Sequence, residues 1–222
     1  MIEGRPTMYL IDMDNITGNI IPSPDLTVRT HGHPVLVPGK LRGAIRLDGH
    51  GQYVDAGDHS DACLGNVELC RHGLTQSAWM RFRRFRDGMY VLSSGRGVLV
   101  FQRDRRLHVV VDVADQRWDV AVPDLDVDTW YFVEYTWHPQ KGLHVFVDNR
   151  LVGYRQTADS VRRRPSSDAG DLVLIGNANT AVADGERTFS TNGIIDEVET
   201  WYGHRDYLIA FDYILRGLFW GS

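Results

Sequence analysis

The feature that most limits what this chain can fold into is its rhythm. Short runs of alternating apolar and polar residues, each bounded by turn formers, follow one another along most of its length. Ala44-Ile-Arg-Leu-Asp48, Gln52-Tyr-Val-Asp55, residues 74–85, Tyr90-Val-Leu92, Val98-Leu-Val-Phe101 and Leu107-His-Val-Val-Val-Asp-Val113 have the β-branched, aromatic character of strands. Trp130-Tyr-Phe-Val-Glu-Tyr-Thr-Trp137, Leu143-His-Val-Phe-Val147, Leu172-Val-Leu-Ile175 and residues 194–201 continue the series. Asp48-Gly49, Asp87-Gly88, Ser94-Gly95, Gln140-Lys-Gly142 and Asp148-Asn149 supply turns between them. A parallel sheet would need helical crossovers between strands, and the sequence has no repeated helical stretches for them. The pattern therefore predicts an all-β fold, an antiparallel β-sandwich or jelly roll. The one helical spacing, Leu208, Phe211, Leu215 and Leu218, predicts a short C-terminal helix over 205–218. Residues 162–170, with three arginines, Pro165 and two serines, read as an exposed loop.

Composition removes several function classes. No run of about 18 apolar residues occurs, which excludes a helical membrane insertion. The formal net charge of −5 gives no reason to expect nucleic acid as a partner. Two cysteines exclude a cysteine-rich scaffold and a four-cysteine zinc site. Residues 2–5 read Ile-Glu-Gly-Arg, a protease-recognition sequence, so residues 1–5 are set aside as an expression remnant on an excised piece of a larger chain. Residues 6–222 show no internal repeat or linker and are expected to form one domain. Cys63 and Cys70 lack both the Cys-x-x-Cys spacing of redox pairs and further metal ligands nearby. They read as a disulfide, with two free thiols as the alternative; a disulfide implies an oxidising, extracellular compartment and a secreted protein. Asn15-Ile-Thr17 is a glycosylation sequon.

The order of motifs resembles the laminin G-like and pentraxin-like domains of the concanavalin A-like jelly-roll superfamily. Ile11-Asp-Met-Asp-Asn-Ile-Thr-Gly-Asn19 is similar to the opening segment, and Gly43-Ala-Ile-Arg-Leu-Asp-Gly49 followed by Gln52-Tyr-Val-Asp55 to the next block. Leu74-Thr-Gln-Ser-Ala-Trp-Met80 resembles a buried-tryptophan strand. Residues 130–136 and 143–152 resemble the paired strands around an Asp-Gly hairpin, with Asn149 in the glycine's place. Asn192-Gly-Ile-Ile-Asp-Glu-Val-Glu-Thr-Trp201 resembles the closing strand. Residues 63–75 are similar to a subgroup of large extracellular animal proteins that includes adhesion receptors and the Pif-type matrix proteins of mollusc shells.

The resemblance implies a structural calcium between the opening segment and the closing strand. Carried over by position, its ligands would be Asp14 and Asp196, more weakly Asp48, with backbone carbonyls completing the oxygen shell. Asn15 departs from the acid often found there. Some members of the superfamily hydrolyse glycans, with a signature resembling Glu-x-Asp-x-Glu. Glu197 and Glu199 lie two apart, on one face of an extended strand, yet Val198 stands between them and Asp196 before them. The histidines are scattered, His31-Gly-His33 is a lone loop pair, and no nucleophile elbow or phosphate loop occurs. The chain is expected not to be an enzyme.

The strongest signal outside the resemblance is arginine. Among 24 basic residues only Lys40 and Lys141 are lysine, and between residues 81 and 106 eight arginines face only Asp87 and Asp104. Arginine's planar fork suits sulfate, carboxylate or carbonate. Arg81, Arg83, Arg84, Arg86, Arg103, Arg105 and Arg106 are therefore candidate anion ligands, with Trp118 a candidate ring platform. Strand alternation over 81–86 would send Arg81 and Arg83 to one face and Arg84 and Arg86 to the other. Asp124-Leu-Asp-Val-Asp128 would present three acids along one face if extended. The reading is an extracellular matrix module that binds an acidic or sulfated polysaccharide, a matrix protein or calcium carbonate. The alternative is an adhesion or receptor module for a sulfated glycan or protein.

Overall fold

The computed structural model describes residues 8–94, 97–161, 172–179 and 188–204. The strands are β1 Met8–Ile11, β2 Ile20–Ile21, β3 Val28–His31, β4 Val35–Pro38, β5 Gly43–Asp48 and β6 Tyr53–Asp58. There follow β7 Leu74–Phe82, β8 Met89–Ser93, β9 Val98–Arg103, β10 Arg106–Val113, β11 Gln116–Ala121 and β12 Trp130–His138. The last are β13 Gly142–Val147, β14 Arg150–Arg155, β15 Asp159–Ser160, β16 Leu172–Ile175, β17 Phe189–Ser190 and β18 Asn192–Trp201. One sheet has the order β14-β13-β12-β7-β18-β5-β4, with β1 also on β18. The second has the order β15-β11-β10-β9-β8-β16-β6-β3-β2, with β17 running parallel to β8.

The sandwich follows from the two-residue period of its strands. In the first sheet Leu74, Ala78, Met80 and Phe82 of β7 and Val133, Tyr135 and Trp137 of β12 point inward. Leu107, Val109 and Val111 of β10 meet them from the second sheet. Late strands lie between early ones: β18 sits between β7 and β5, and β16 between β8 and β6. The chain's end thereby closes both sheets, as in a jelly roll. Gln76 is the polar exception on the inward face. Its amide nitrogen donates to Thr200 Oγ1 at 2.9 Å and its carbonyl accepts the Tyr135 hydroxyl, so neither group is stranded.

Trp118 is not a surface platform. On β11 it alternates with Arg117 and Asp119, so the inward position falls to the indole, 3% exposed and edge-on to Trp137 at 5.5 Å. Its Nε1 donates to the Gln156 carbonyl at 3.3 Å. Cys63 and Cys70 form the disulfide, closing a buried corner around a 3-10 turn, Val67–Leu69, which the Asn66 side chain caps. The helix expected over 205–218 and the loop expected over 162–170 lie outside the described residues.

Candidate functional site

Strand β7 ends at Phe82, and the chain leaves the sheet before the arginine run begins. Strict alternation therefore does not apply beyond Arg81. In the loop that follows, the Arg83 amide donates to the Asn192 carbonyl at 3.0 Å and the Arg86 amide to Gln102 Oε1 at 2.8 Å. These bonds fix the loop against β9 and β18. Arg86 lies over the Phe189 ring, a cation–π contact that holds its guanidinium in place. Arg105 arrives from the β9–β10 hairpin. Asp104 and Arg105 both have positive φ, 52° and 63°, as a two-residue hairpin turn of the tightest kind requires.

Arg83, Arg84, Arg86 and Arg105 thus line one cleft of about 630 Å³ at the end of the sandwich. Phe85, Leu125 and Val127 supply apolar wall, and Asp87, Asp124 and Asp126 supply carboxylates. None of these four guanidiniums has a carboxylate within ion-pair distance among the described residues. Gln102, 1% exposed, also lines the cleft, and its Nε2 donor is buried without a hydrogen-bond partner. The buried Gln102 amide and the four guanidiniums, which no carboxylate of the described residues contacts, make this wall of the cleft rich in donors, with Asp87, Asp124 and Asp126 as its acceptors. A smaller pocket continues past Arg84 and Arg86 to Phe189, Asn192 and Asp48.

The other candidate arginines are engaged elsewhere. Arg81, still in β7, lies 3.6 Å from Asp128. Arg103 binds Asp119 at 2.7 Å and contacts His108 at 3.1 Å, on the outer face of the second sheet. Asp119 is half-buried, which would raise its pKa, but bonds from His108 and Arg103 hold it below the ordinary value. Arg106 lies 3.8 Å from Asp124. The acids of 124–128 do not form one extended face either. They occupy the β11–β12 connection, where the Asp126 amide donates to the Tyr131 hydroxyl at 3.0 Å and Asp128 has φ 57°.

Asp14 and Asp196, far apart in sequence, meet around the loop 39–43. Asp14 Oδ1 accepts the Gly43 amide at 2.8 Å, and Asp196 Oδ2 accepts the Lys40 and Leu41 amides at 2.8 and 3.0 Å. The loop passes so closely that a Cβ on Gly39 would sit 2.6 Å from Asp196 Oδ2, and one on Gly43 2.9 Å from Asp14 Cα. Asp196 is fully buried, and its Oδ1 has no hydrogen-bond partner. Burial pushes its pKa up, the Asp14 charge adds to this, and the loop amides oppose it. Arg42 closes the cluster: Nε lies 2.8 Å from Asp14 Oδ2 and Nη2 3.5 Å from Glu197 Oε1. Asp48 has no part in this. It lies at the far end of β5, where its Oδ1 accepts the His50 amide at 2.8 Å in a turn.

A bulge in β18 makes this geometry. Asp196 pairs with Trp79 and Glu199 with Ser77, so Glu197 and Val198 together oppose one residue of β7. Glu197 takes φ 49°, and Val198 turns into the core. The bulge breaks the simple alternation expected of Glu197 and Glu199. Glu197 reaches Arg42, while Glu199 stands beside Ser77. Burial raises the pKa of both; Asp196 adds to the shift at Glu197, and Glu197 and Glu134 add to it at Glu199. The oxygen-only donor set around the unpartnered Asp196 Oδ1 suits a hard divalent cation such as calcium. Among the described residues no three His, Cys, Asp or Glu side chains converge as a metal site, so such an ion would draw on Asp14, Asp196 and backbone carbonyls.

The sequence profile described as the concanavalin A-like lectin/glucanases superfamily, a laminin G type, matches residues 48–206. The chain belongs to this family. Comparison with curated protein sequences finds no match. Among solved structures, this concanavalin A-like domain is similar to domain 4 of AbnA, an extracellular GH43 arabinanase from Geobacillus stearothermophilus solved with arabinotriose. There the TM-score is 0.59 at 13% identity, covering 90% of this chain and 95% of that one. It is also similar to botulinum neurotoxin type C, whose cell entry depends on two ganglioside molecules, with TM-score 0.60, 11% identity, and coverage of 94% and 51%. A Trypanosoma rangeli sialidase matches at TM-score 0.59 and 12% identity, with 88% of this chain covered and 30% of that one. The domain spans about half of the toxin chain and under a third of the sialidase chain. These likenesses establish the fold.

Asp14 and Asp196, named from the sequence, lie together around the loop 39–43, and four of the seven named arginines share the cleft. Sequence reasoning missed Arg42, Gln102 and Phe189. Arg42 carried a signal of a kind, a lone cation just before the Gly43 block; Gln102 and Phe189 carried none.

Proposed function

We propose that this domain is a non-catalytic, extracellular binding module that captures an acidic or sulfated polysaccharide in the arginine cleft, with calcium as a structural ion at Asp14 and Asp196. The observation that carries the reading is the set of four unpaired guanidiniums with the unmet Gln102 donor around one concave site. The four arginines are exposed and only the Gln102 donor is recessed, and that donor favours a polymer segment over a mineral surface, because a flat crystal face cannot enter the cleft to reach it. The glycans bound by the arabinanase domain and the neurotoxin agree with a saccharide ligand. The disulfide favours an oxidising compartment, and a matrix protein of the shell type is the parent we infer. Asp196 is committed to the loop and Glu197 to Arg42, and the bulge removes Glu197 and Glu199 from a simple pair on one face, which supports a binding role.

Retention on heparin, polygalacturonate and calcite across sodium chloride tests this. Wild type should be held on a polyanion at physiological salt. The Arg84→Ala/Arg86→Ala double variant should flow through, while Arg103→Ala should behave as wild type. Equal retention of the double variant, or flow-through of wild type on both polymers, would refute the cleft. Retention on calcite alone would transfer the function to mineral.

A further inference from the structure

The three carboxylates around the loop 39–43 are unequally served. Asp14 and Glu197 share the Arg42 guanidinium. Asp196, the buried one, receives the Lys40 and Leu41 amides on Oδ2 and a weaker contact from the Glu197 amide, and its Oδ1 has no partner in full hydrogen-bond geometry. Arg42 therefore neutralises the outer part of the cluster and leaves its buried part uncompensated. Its side chain is 70% exposed, so it can exchange its carboxylates for water at little desolvation cost. The backbone contacts that shape the loop, Gly43 to Asp14 Oδ1 and Lys40 and Leu41 to Asp196 Oδ2, do not involve the guanidinium.

We infer that Arg42 is a built-in competitor for the divalent cation, seated on Asp14 in its absence and displaced when the ion binds. The inference rests on the calcium reading above. Asp14 Oδ1 already accepts the Gly43 amide, so the oxygen that Asp14 has free of backbone bonds for an ion is Oδ2, which Arg42 Nε now holds at 2.8 Å. Two cations cannot share that oxygen at contact distance without strong repulsion. Binding is then an exchange of guanidinium for metal. Arg42 keeps the ion-free loop closed, and it lowers the domain's affinity for calcium.

The test is calorimetric titration of calcium into EDTA-stripped wild type, Arg42→Gln and Asp196→Asn, with thermal melts of each, ion-free and loaded. Arg42→Gly is a second variant, since φ 89° at this position suits glycine. The expected result is tighter binding, by about tenfold or more, when the competing charge is removed. Ion-free Arg42→Gln should melt below wild type and regain the difference on loading, Arg42→Gly is read by its affinity alone because glycine also relieves the positive φ, and Asp196→Asn should lose binding. If wild type binds and the Arg42 variants bind equally or more weakly, the competition is overturned while the calcium reading stands. If neither wild type nor the Arg42 variants bind calcium up to about 1 mM, the upper range for extracellular modules, both readings fall together.

Discussion

Replacing Asp196 by alanine separates its role as a loop anchor from any role with metal, provided a chelator is present throughout. In the native fold Asp196 Oδ2 accepts two amides from the loop 39–43. Hydrogen bonds to a charged group contribute roughly 1.5–3 kcal/mol each. Two deductions apply. The Lys40 and Leu41 residues are exposed, so their amides recover water in part when the carboxylate is gone. The carboxylate is itself destabilised by burial, and its removal relieves that cost. A net loss of about 2–3 kcal/mol for Asp196→Ala follows. Asp196→Asn keeps an acceptor for one amide and removes the buried charge, so its cost should be about 1 kcal/mol or less. Equilibrium urea unfolding at pH 7 in EDTA, followed by circular dichroism, gives both values if the denaturant slope stays constant. Equal costs for Ala and Asn would refute the reasoning, as would an alanine cost near zero. An alanine cost near zero would mean that the loop does not hang on this carboxylate, and equal costs would mean that the charge, and not the retained acceptor, holds the loop.

Three further outcomes are expected. Without metal, thermal stability should rise as pH falls from 7 towards about 5, because Asp196, Glu197 and Glu199 have raised folded-state pKa values and so take up protons more readily folded than unfolded. The stability they contribute is complete below the ordinary carboxylate values and is lost as pH rises through the raised ones. His138, held low by burial, acts in the opposite sense as pH falls below the ordinary histidine value of about 6.5, and Asp119, held low, does so below about 4. The rise in melts on the acid side of neutrality is therefore the excess of the three carboxylates over His138, and it should shrink in Asp196→Asn. Cys63→Ser/Cys70→Ser should lose about 2.5 kcal/mol in urea unfolding, the loop-closure value for this short ring, without changing polyanion retention. Trp118→Ala should cost about 3–5 kcal/mol by the same assay, whereas Trp118→Phe should fold and leave polyanion retention untouched, since the indole faces Trp137 and not the cleft.

The fold was legible because a sandwich core is written in a period of two. Strands such as β10 and β12 carry it for eight or nine residues, long enough to read without partners. The two-residue strands β2, β15 and β17 carry no period at all, and they exist because a neighbour offers hydrogen bonds. Trp118 was misread for the opposite reason. Its flanking charges Arg117 and Asp119 suggested a wet segment, but charged residues on both sides of an apolar one are what a half-buried strand shows. The β18 bulge is the deepest limit. A single extra residue moves Val198 inward and frees Glu197 for Arg42, and no local composition marks where a strand admits it.

Arginine content, likewise, does not divide itself into structural and functional parts along the chain. The seven candidates looked alike in sequence, and what separates them is whether a carboxylate lies opposite. Arg81, Arg103 and Arg106 belong to strands, where the pleat sets each beside an acid from another segment: Asp128, Asp119 and Asp124. Arg83, Arg84, Arg86 and Arg105 belong to a loop and a hairpin tip at the sandwich end, where Asp124 shares their cleft without coming within ion-pair distance of them. Exposed pairs contribute little to stability, so the three paired arginines are cheap to keep and need no ligand to justify them. Four unpaired guanidiniums held together by Gln102, Phe189 and backbone bonds repel one another, and on stability grounds they gain nothing from proximity. Asp87, Asp124 and Asp126 on the same cleft wall offset part of that repulsion from beyond contact distance, and what remains is the excess positive charge on which the proposed anion site rests, at the end of the sandwich where strand pairing ends.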